Sequence, residues 1–129
     1  MSGLSLFAHK YVGDQIITLG RYMSLHTADP TDAGLTTAEV STIGTNYARL
    51  DMLGKMSPFD LLTGRSTLIV DINIGPATIA WGLLTYAAFW NAVTAGNMII
   101  SGQLLTAQDM PAGKQFQLLA GQFSIGKTP

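Results

Sequence analysis

The sequence contains no cysteine and few charged residues. Without cysteine the chain has no disulfide framework, no zinc site built on cysteine ligands and no thiol nucleophile. Charged residues make up 12% of the 129 positions, about half the usual quarter, and the net charge is -1. Binding of nucleic acid requires clustered Lys and Arg, of which the chain has seven in total. The composition therefore argues against a nucleic-acid partner.

Apolar residues make up 47% of the chain, which excludes an intrinsically disordered protein. A length of 129 residues fits one domain and is too short for two ordinary ones. A free monomer of this size usually carries more charge for solubility. We therefore expect partner chains to cover much of the surface.

A membrane span is considered because residues 72–108 contain no charge and are numerous enough to cross a bilayer. Gly75, Pro76 and the polar stretch 94–97 interrupt this window, and no Lys or Arg flanks it closely. The N-terminus has no basic segment followed by an apolar run, so it does not resemble a secretory signal. We expect buried strands in this window and no membrane partner.

Hydrophobic periodicity predicts a mainly β fold: a single β-sandwich or jelly-roll-like domain with a short N-terminal helix. The helix is predicted over residues 5–17, where Gly13 weakens it, with Leu6, Phe7, Tyr11 and Ile17 partly on one stripe. Segment 78–90 fits a helix or a strand, and recurring turn signals favour the strand. The other predicted strands are 20–28, one starting near 47, 66–74, 98–105 with an interruption at Gly102, 114–119 and 122–125. The chain is divided into a helix or arm at 1–17, a β domain at 18–126 and a tail at 127–129.

Residues 121–128 match the P-loop pattern G-x-x-x-x-G-K-T in letters. A P-loop binds phosphates because it follows a strand and opens a helix, whose N-terminal amides hold the ligand. Only Pro129 follows Thr128, so no helix is expected there. We predict a polar tail and no nucleotide cofactor.

A metal site could form from His26, Asp29 and Asp32. Both aspartates have turn-forming roles in a loop that also contains Pro30 and Gly34, so the loop explains them without a metal. A Ser-His-Asp triad needs a base oriented by a third group, and the sequence has no G-x-S-x-G motif. We predict no catalytic, metal-binding or cofactor-binding residue, and no enzymatic activity.

Four aromatic residues cluster in the sequence at Trp81, Tyr86, Phe89 and Trp90. Such a cluster is more often core or subunit interface than a platform for sugars. Arg49 follows a predicted strand start, where a lone arginine is usually a surface ion-pair partner.

The run T-A-D-P-T-D-A-G at residues 27–34 resembles a family of small bacteriophage virion proteins often labelled tail-fibre proteins. The similar segments are residues 22–34, 39–41, 46–49, 77–82, 91–102 and 111–116, while residues 52–60 differ from the family's small polar linker. The resemblance implies a structural protein of the phage particle, without catalytic residues.

A compact domain about 30 to 40 Å across, without heptads or repeats, cannot form a fibre alone. We therefore favour a capsid cement (decoration) protein that binds the major capsid protein across capsomers. A tail-fibre or baseplate component is the alternative, and a glycan-binding module is the second. The resemblance and the three-fold junctions of capsids suggest a homotrimer. Leu4, Leu6 and Phe7 are predicted to dock onto the particle, and the aromatic cluster to form core or interface.

Overall fold

The computed structural model describes residues 5–31 and 33–126, and it confirms a mainly β chain with one helix. The elements are α1 (Leu6–Leu19), β1 (Tyr22–His26), β2 (Leu50–Asp51), β3 (Arg65–Thr67), β4 (Ile72–Ile74), β5 (Gly82–Trp90), β6 (Met98–Met110), β7 (Phe116–Leu118) and β8 (Ser124–Gly126). All the strand pairs are antiparallel.

Helix α1 begins where the Ser5 hydroxyl accepts a hydrogen bond from the Ala8 amide, which satisfies one of the free N–H groups of the first turn. Gly13, expected to weaken the helix, lies against the ring of Phe59, where a Cβ atom would be 2.3 Å from the ring. The predicted apolar stripe is wrong in part, because Phe7 and Tyr11 are exposed and only Ile17 of the described members packs against the core. The buried side of the helix is therefore the side on which Gly13 contacts Phe59.

The largest sheet has four strands in the order β2-β1-β5-β6. Strand β5 occupies the segment that fitted a helix or a strand, so the strand prediction is confirmed. Residues 91–97 form the predicted hairpin loop between β5 and β6, closed by the Asn91 amide, which donates to the Asn97 carbonyl oxygen. Both faces of β1 are buried, because Met23 and Leu25 face the core while Ser24 and His26 are covered on the other side.

Residues 66–74 do not form the single strand that alternation predicted. They form two short strands with different partners: β3 pairs with β8, and β4 pairs with β7. The chain leaves the ladder between them, and Val70 is exposed although Leu68, Ile72 and Ile74 are buried. Each short strand keeps the alternation of buried and more exposed side chains that is typical of a β-strand. This alternation does not reveal that the segment changes its partner strand between residues 67 and 72.

Strand β6 departs from its predicted interruption at Gly102. Gly102 is in register opposite Ala87, and its missing side chain allows Ile125 to approach. The larger irregularity comes later, where residues 104–107 stand opposite the single residue Thr85. These extra residues form a bulge at the edge of the sheet.

One hydrophobic cluster joins the four-stranded sheet to the two short ladders. The rings of Phe89 in β5 and Phe123, which precedes β8, stack with centroids 6.0 Å apart. The uncharged window 72–108 supplies β4, β5 and most of β6 to this architecture. Within residues 5–31 and 33–126, no helix has the length and apolarity needed to cross a bilayer.

Candidate functional site

A buried ion pair links two segments that the sequence analysis treated separately. The Arg49 guanidinium binds both carboxylate oxygens of Glu39, with Nε to Oε2 at 3.0 Å and Nη2 to Oε1 at 2.9 Å. The side chains of Arg49 and Glu39 are only 5% and 12% exposed. Arg49 is therefore an ion-pair partner, as the sequence suggested, but its expected surface position is wrong, because the hairpin loop and Trp90 cover it.

The same guanidinium holds the β5–β6 hairpin loop. Its Nη1 atom donates to the carbonyl oxygens of Ala92 and Ala95, at 3.2 and 2.8 Å. The central carbon of the guanidinium, Cζ, lies 4.1 Å from the centre of the Trp90 ring, which is cation–π geometry. Arg49 thus ties the loop, the end of β5 and the Glu39 segment together.

Tyr47 extends this network to β1. Its hydroxyl accepts a hydrogen bond from the Leu25 amide at 3.0 Å and donates to Glu39 Oε2 at 2.9 Å. Burial, reinforced by the negative charge of Glu39, raises the pKa of Tyr47 well above its usual range. The phenol therefore stays protonated and holds the carboxylate in place.

Ser24 and His26 lie side by side on the covered face of β1. The Ser24 hydroxyl is 2.6 Å from His26 Nε2 and accepts a hydrogen bond from Trp90 Nε1 at 2.7 Å. The His26 ring stacks with Trp90, and its Nδ1 atom is buried without a hydrogen-bond partner in the described part of the chain. Burial, with a smaller contribution from Arg49, lowers the pKa of His26, and Glu39 opposes this shift.

Both side chains of this Ser-His pair are fully buried. A nucleophile must reach its substrate, and its base must be oriented by a third group. Here Trp90 holds the serine, and the second imidazole nitrogen of His26 has no such partner among the described residues. The arrangement fixes the packing of β1 against β5.

The loop after β1 shows the turn chemistry expected from its sequence. The Asp29 carboxylate accepts a hydrogen bond from the Thr31 amide at 2.8 Å. Asp32 lies outside the described residues, and His26 is sealed in the interior. Across residues 5–31 and 33–126, no three His, Asp or Glu side chains come together in a way that could hold a metal ion.

Three residues of the aromatic cluster are buried, and the fourth is half-buried on the central strand β5. Trp81, Phe89 and Trp90 are buried in the chain itself, and Tyr86 is half-buried. The Trp81 indole donates to the Thr45 carbonyl oxygen, and its ring meets Tyr47 edge-on. A platform for sugars needs exposed ring faces. The buried rings of Trp81, Phe89 and Trp90 do not offer them.

The P-loop match covers a strand. Residues 124–126 form β8, which pairs with β3, while residues 127 and 128 lie outside the described residues. The predicted docking residues are partly described: Phe7 is exposed, Leu4 lies outside the described residues, and nothing is described of the Leu6 side chain.

The sequence did not predict the buried network, because opposite charges ten residues apart, at Glu39 and Arg49, do not by themselves indicate that the two side chains pair. Glu39, Tyr47 and Arg49 nonetheless lie in the segments that carry the family resemblance. A family model described as "Podophage GP4 fiber I protein gp80" matches residues 18–126. A comparison with curated proteins gave no significant match. The family match confirms the resemblance to tail-fibre-type phage proteins, the location in the virion and the association with other phage structural proteins.

Proposed function

The chain belongs to the podophage GP4 fiber I protein gp80 family, and from this membership we propose that it is a structural, non-enzymatic subunit of a phage tail fibre. The observation that carries the proposal is the match over residues 18–126, which span the eight strands. The match favours the fibre alternative over the capsid cement protein that the sequence analysis preferred.

The fold supports a role in assembly. The Glu39–Arg49 pair, Tyr47 and the Ser24–His26–Trp90 cluster are internal, so they rigidify the domain. Rigid surfaces lose less conformational entropy when they associate. The domain is therefore suited to present a fixed surface to its neighbours.

A compact domain is one building block of a fibre, since length must come from repeated copies or from other proteins. We propose that the chain forms a homo-oligomer and contacts neighbouring fibre or tail proteins. The trimer stays a prediction. Exposed apolar side chains on α1, of which Phe7 is 74% exposed, supply surface for such contacts.

The location of the chain in the phage particle tests this proposal. Particles carrying a small epitope tag on the chain would be imaged with gold-labelled antibody, beside untagged particles as the control. Label on the tail fibres is the expected result. Label spread over the head would support the cement protein instead and overturn the fibre assignment.

The non-enzymatic part needs its own measurement. The purified protein would be applied to a glycan array and to a panel of polysaccharide substrates. We expect neither binding nor release of product. Turnover that is lost in a point variant of an exposed polar residue would overturn this part while leaving the location in the fibre standing.

A further inference from the structure

The bulge of β6 presents an exposed leucine at the edge of the four-stranded sheet. Leu104 points into the core, whereas its neighbour Leu105 is 83% exposed. Three more residues stand here than the register with β5 requires, because residues 104–107 face Thr85 alone. The bulge therefore displays Leu105 as a knob.

An open groove of about 550 Å³ lies beside this knob, between the bulge and the segment around β7. Leu119 contributes exposed apolar surface to it, Leu118 lines it from the core, and Leu105 stands on its border. The Gln108 carboxamide crosses to β7, where Nε2 donates to the Gln117 carbonyl oxygen at 2.7 Å and Oε1 accepts from the Gln117 amide at 3.5 Å.

These two hydrogen bonds decide what the groove can accept. The side chain of Gln108 forms hydrogen bonds with the backbone amide and carbonyl oxygen of Gln117, in the way that a neighbouring strand would. An incoming strand would have to displace it to extend the β4–β7 ladder. The groove is therefore suited to an inserted side chain rather than to an added strand.

The charges around the groove are balanced. Asp109 and Lys114 both border it, and the Lys114 ammonium donates to the Asp109 main-chain oxygen at 2.9 Å. The Asp109 carboxylate forms no ion pair within the described residues. Residues 98–108 carry no charge, although proteins often place charges on exposed edge strands to prevent association.

We propose that this surface joins copies of the chain, with Leu105 of one copy inserted into the groove of another. The knob, the groove and one charge of each sign lie on the same surface. The same patch can therefore serve on both copies, and such a contact closes as a reciprocal pair. The inference deepens the proposed homo-oligomer and rests on it.

The first test measures the mass of the purified protein by sedimentation equilibrium over a range of concentrations. We expect wild type to associate and Leu105→Glu to raise the dissociation constant at least about tenfold, because a buried leucine contact is replaced by a charge. Leu62→Glu is the matched control, since Leu62 is 84% exposed outside this groove, and it should associate as wild type does. Circular dichroism should show the same fold for all three.

A charge exchange tests the orientation of the contact. Asp109→Lys and Lys114→Asp each place like charges across the interface and should weaken association, whereas the double variant should restore it. A monomeric wild type, or association unchanged by Leu105→Glu, would overturn the proposal. So would a fibre map in which a different protein fills the groove.

The two proposals fail separately. If wild type associates but Leu105→Glu does so equally well, this surface is wrong and the fibre location is untouched. If the chain is found on heads, the fibre assignment fails, while the contact measured on the purified protein stands.

Discussion

The Arg49 guanidinium lies between the Trp90 ring, 4.1 Å from its centre, and the carboxylate of Glu39. A planar cation can use its face for the ring and its edge for the carboxylate, whereas an ammonium cannot do both in the same geometry. The Nη1 group donates to two carbonyl oxygens of the hairpin loop. This position therefore requires arginine rather than positive charge alone.

Arg49→Ala should lower the free energy of unfolding by about 3 to 5 kcal/mol, because it leaves the buried Glu39 carboxylate without its partner. Arg49→Lys should recover only part of this loss. Urea denaturation followed by tryptophan fluorescence measures both. Arg21→Ala is the control, since Arg21 makes the same two-point contact with Asp51 on the exposed surface and should change stability far less. Equal losses for Arg49→Ala and Arg21→Ala would contradict the assignment.

Stability should fall as the pH drops below about 6.5, the ordinary pKa of histidine. Burial lowers the pKa of His26 in the folded chain. At a pH between this lowered pKa and the ordinary pKa of the unfolded chain, His26 is protonated in the unfolded chain but neutral in the folded chain. The charged groups facing His26 are Glu39, which opposes the shift, and Arg49, which adds to it. The loss should approach about 1.4 kcal/mol per pH unit from this group.

Unfolding free energies between pH 7 and pH 5 test this dependence. The range stops at pH 5 because Asp14, Asp51 and Asp60, whose pKa values are lowered by hydrogen bonds, lose their contribution only in stronger acid. For Asp51 the pKa is lowered to about 2, mainly by Arg21. His26→Gln should flatten the dependence. An unchanged slope in that variant would show that another group titrates.

Gly13→Ala should destabilise the protein by about 1 to 3 kcal/mol, although alanine is the better helix former. The added methyl group would lie 2.3 Å from the base of the Phe59 ring, which is itself buried. The Phe59 amide also donates to Asp14, so the ring cannot retreat without loosening that contact. Thermal unfolding measures the effect, with Gln15→Ala on the exposed face as the control. The prediction fails if Gly13→Ala is neutral or stabilising.

Local patterns predicted the helix, the β1, β5 and β6 strands and the hairpin loop because each depends on neighbouring residues. The turn after β1 was predictable for the same reason, since Asp29 bonds a backbone amide two residues away. The break at residues 68–71 was not predictable, because the switch from the β8 ladder to the β7 ladder depends on partners about 45 to 60 residues distant.

The buried network shows the same limit. A sequence marks Arg49 as a charge, but its burial is created by Trp90 and the hairpin loop, which come some forty residues later. Likewise, Gly13 looked like a defect in the helix because the ring of Phe59 that requires it is distant in the chain. Resemblance to phage fibre proteins supplied the functional class, which these local patterns did not contain.

Phe7→Glu should reduce incorporation of the protein into phage particles at least about tenfold while leaving its thermal unfolding unchanged. Phe7 is 74% exposed on α1, so its ring contributes little to the stability of the fold. The same exposed ring is available to be buried against a partner protein. A point variant is more specific than deletion of the N-terminus, because deletion would also remove the Ser5 cap of the helix.

Gln15→Glu, which adds the same charge at another exposed position of α1, is the control and should be incorporated normally. Occupancy is measured by quantitative mass spectrometry of purified particles against the major capsid protein. Normal occupancy of Phe7→Glu particles would exclude this face of the helix as the attachment surface.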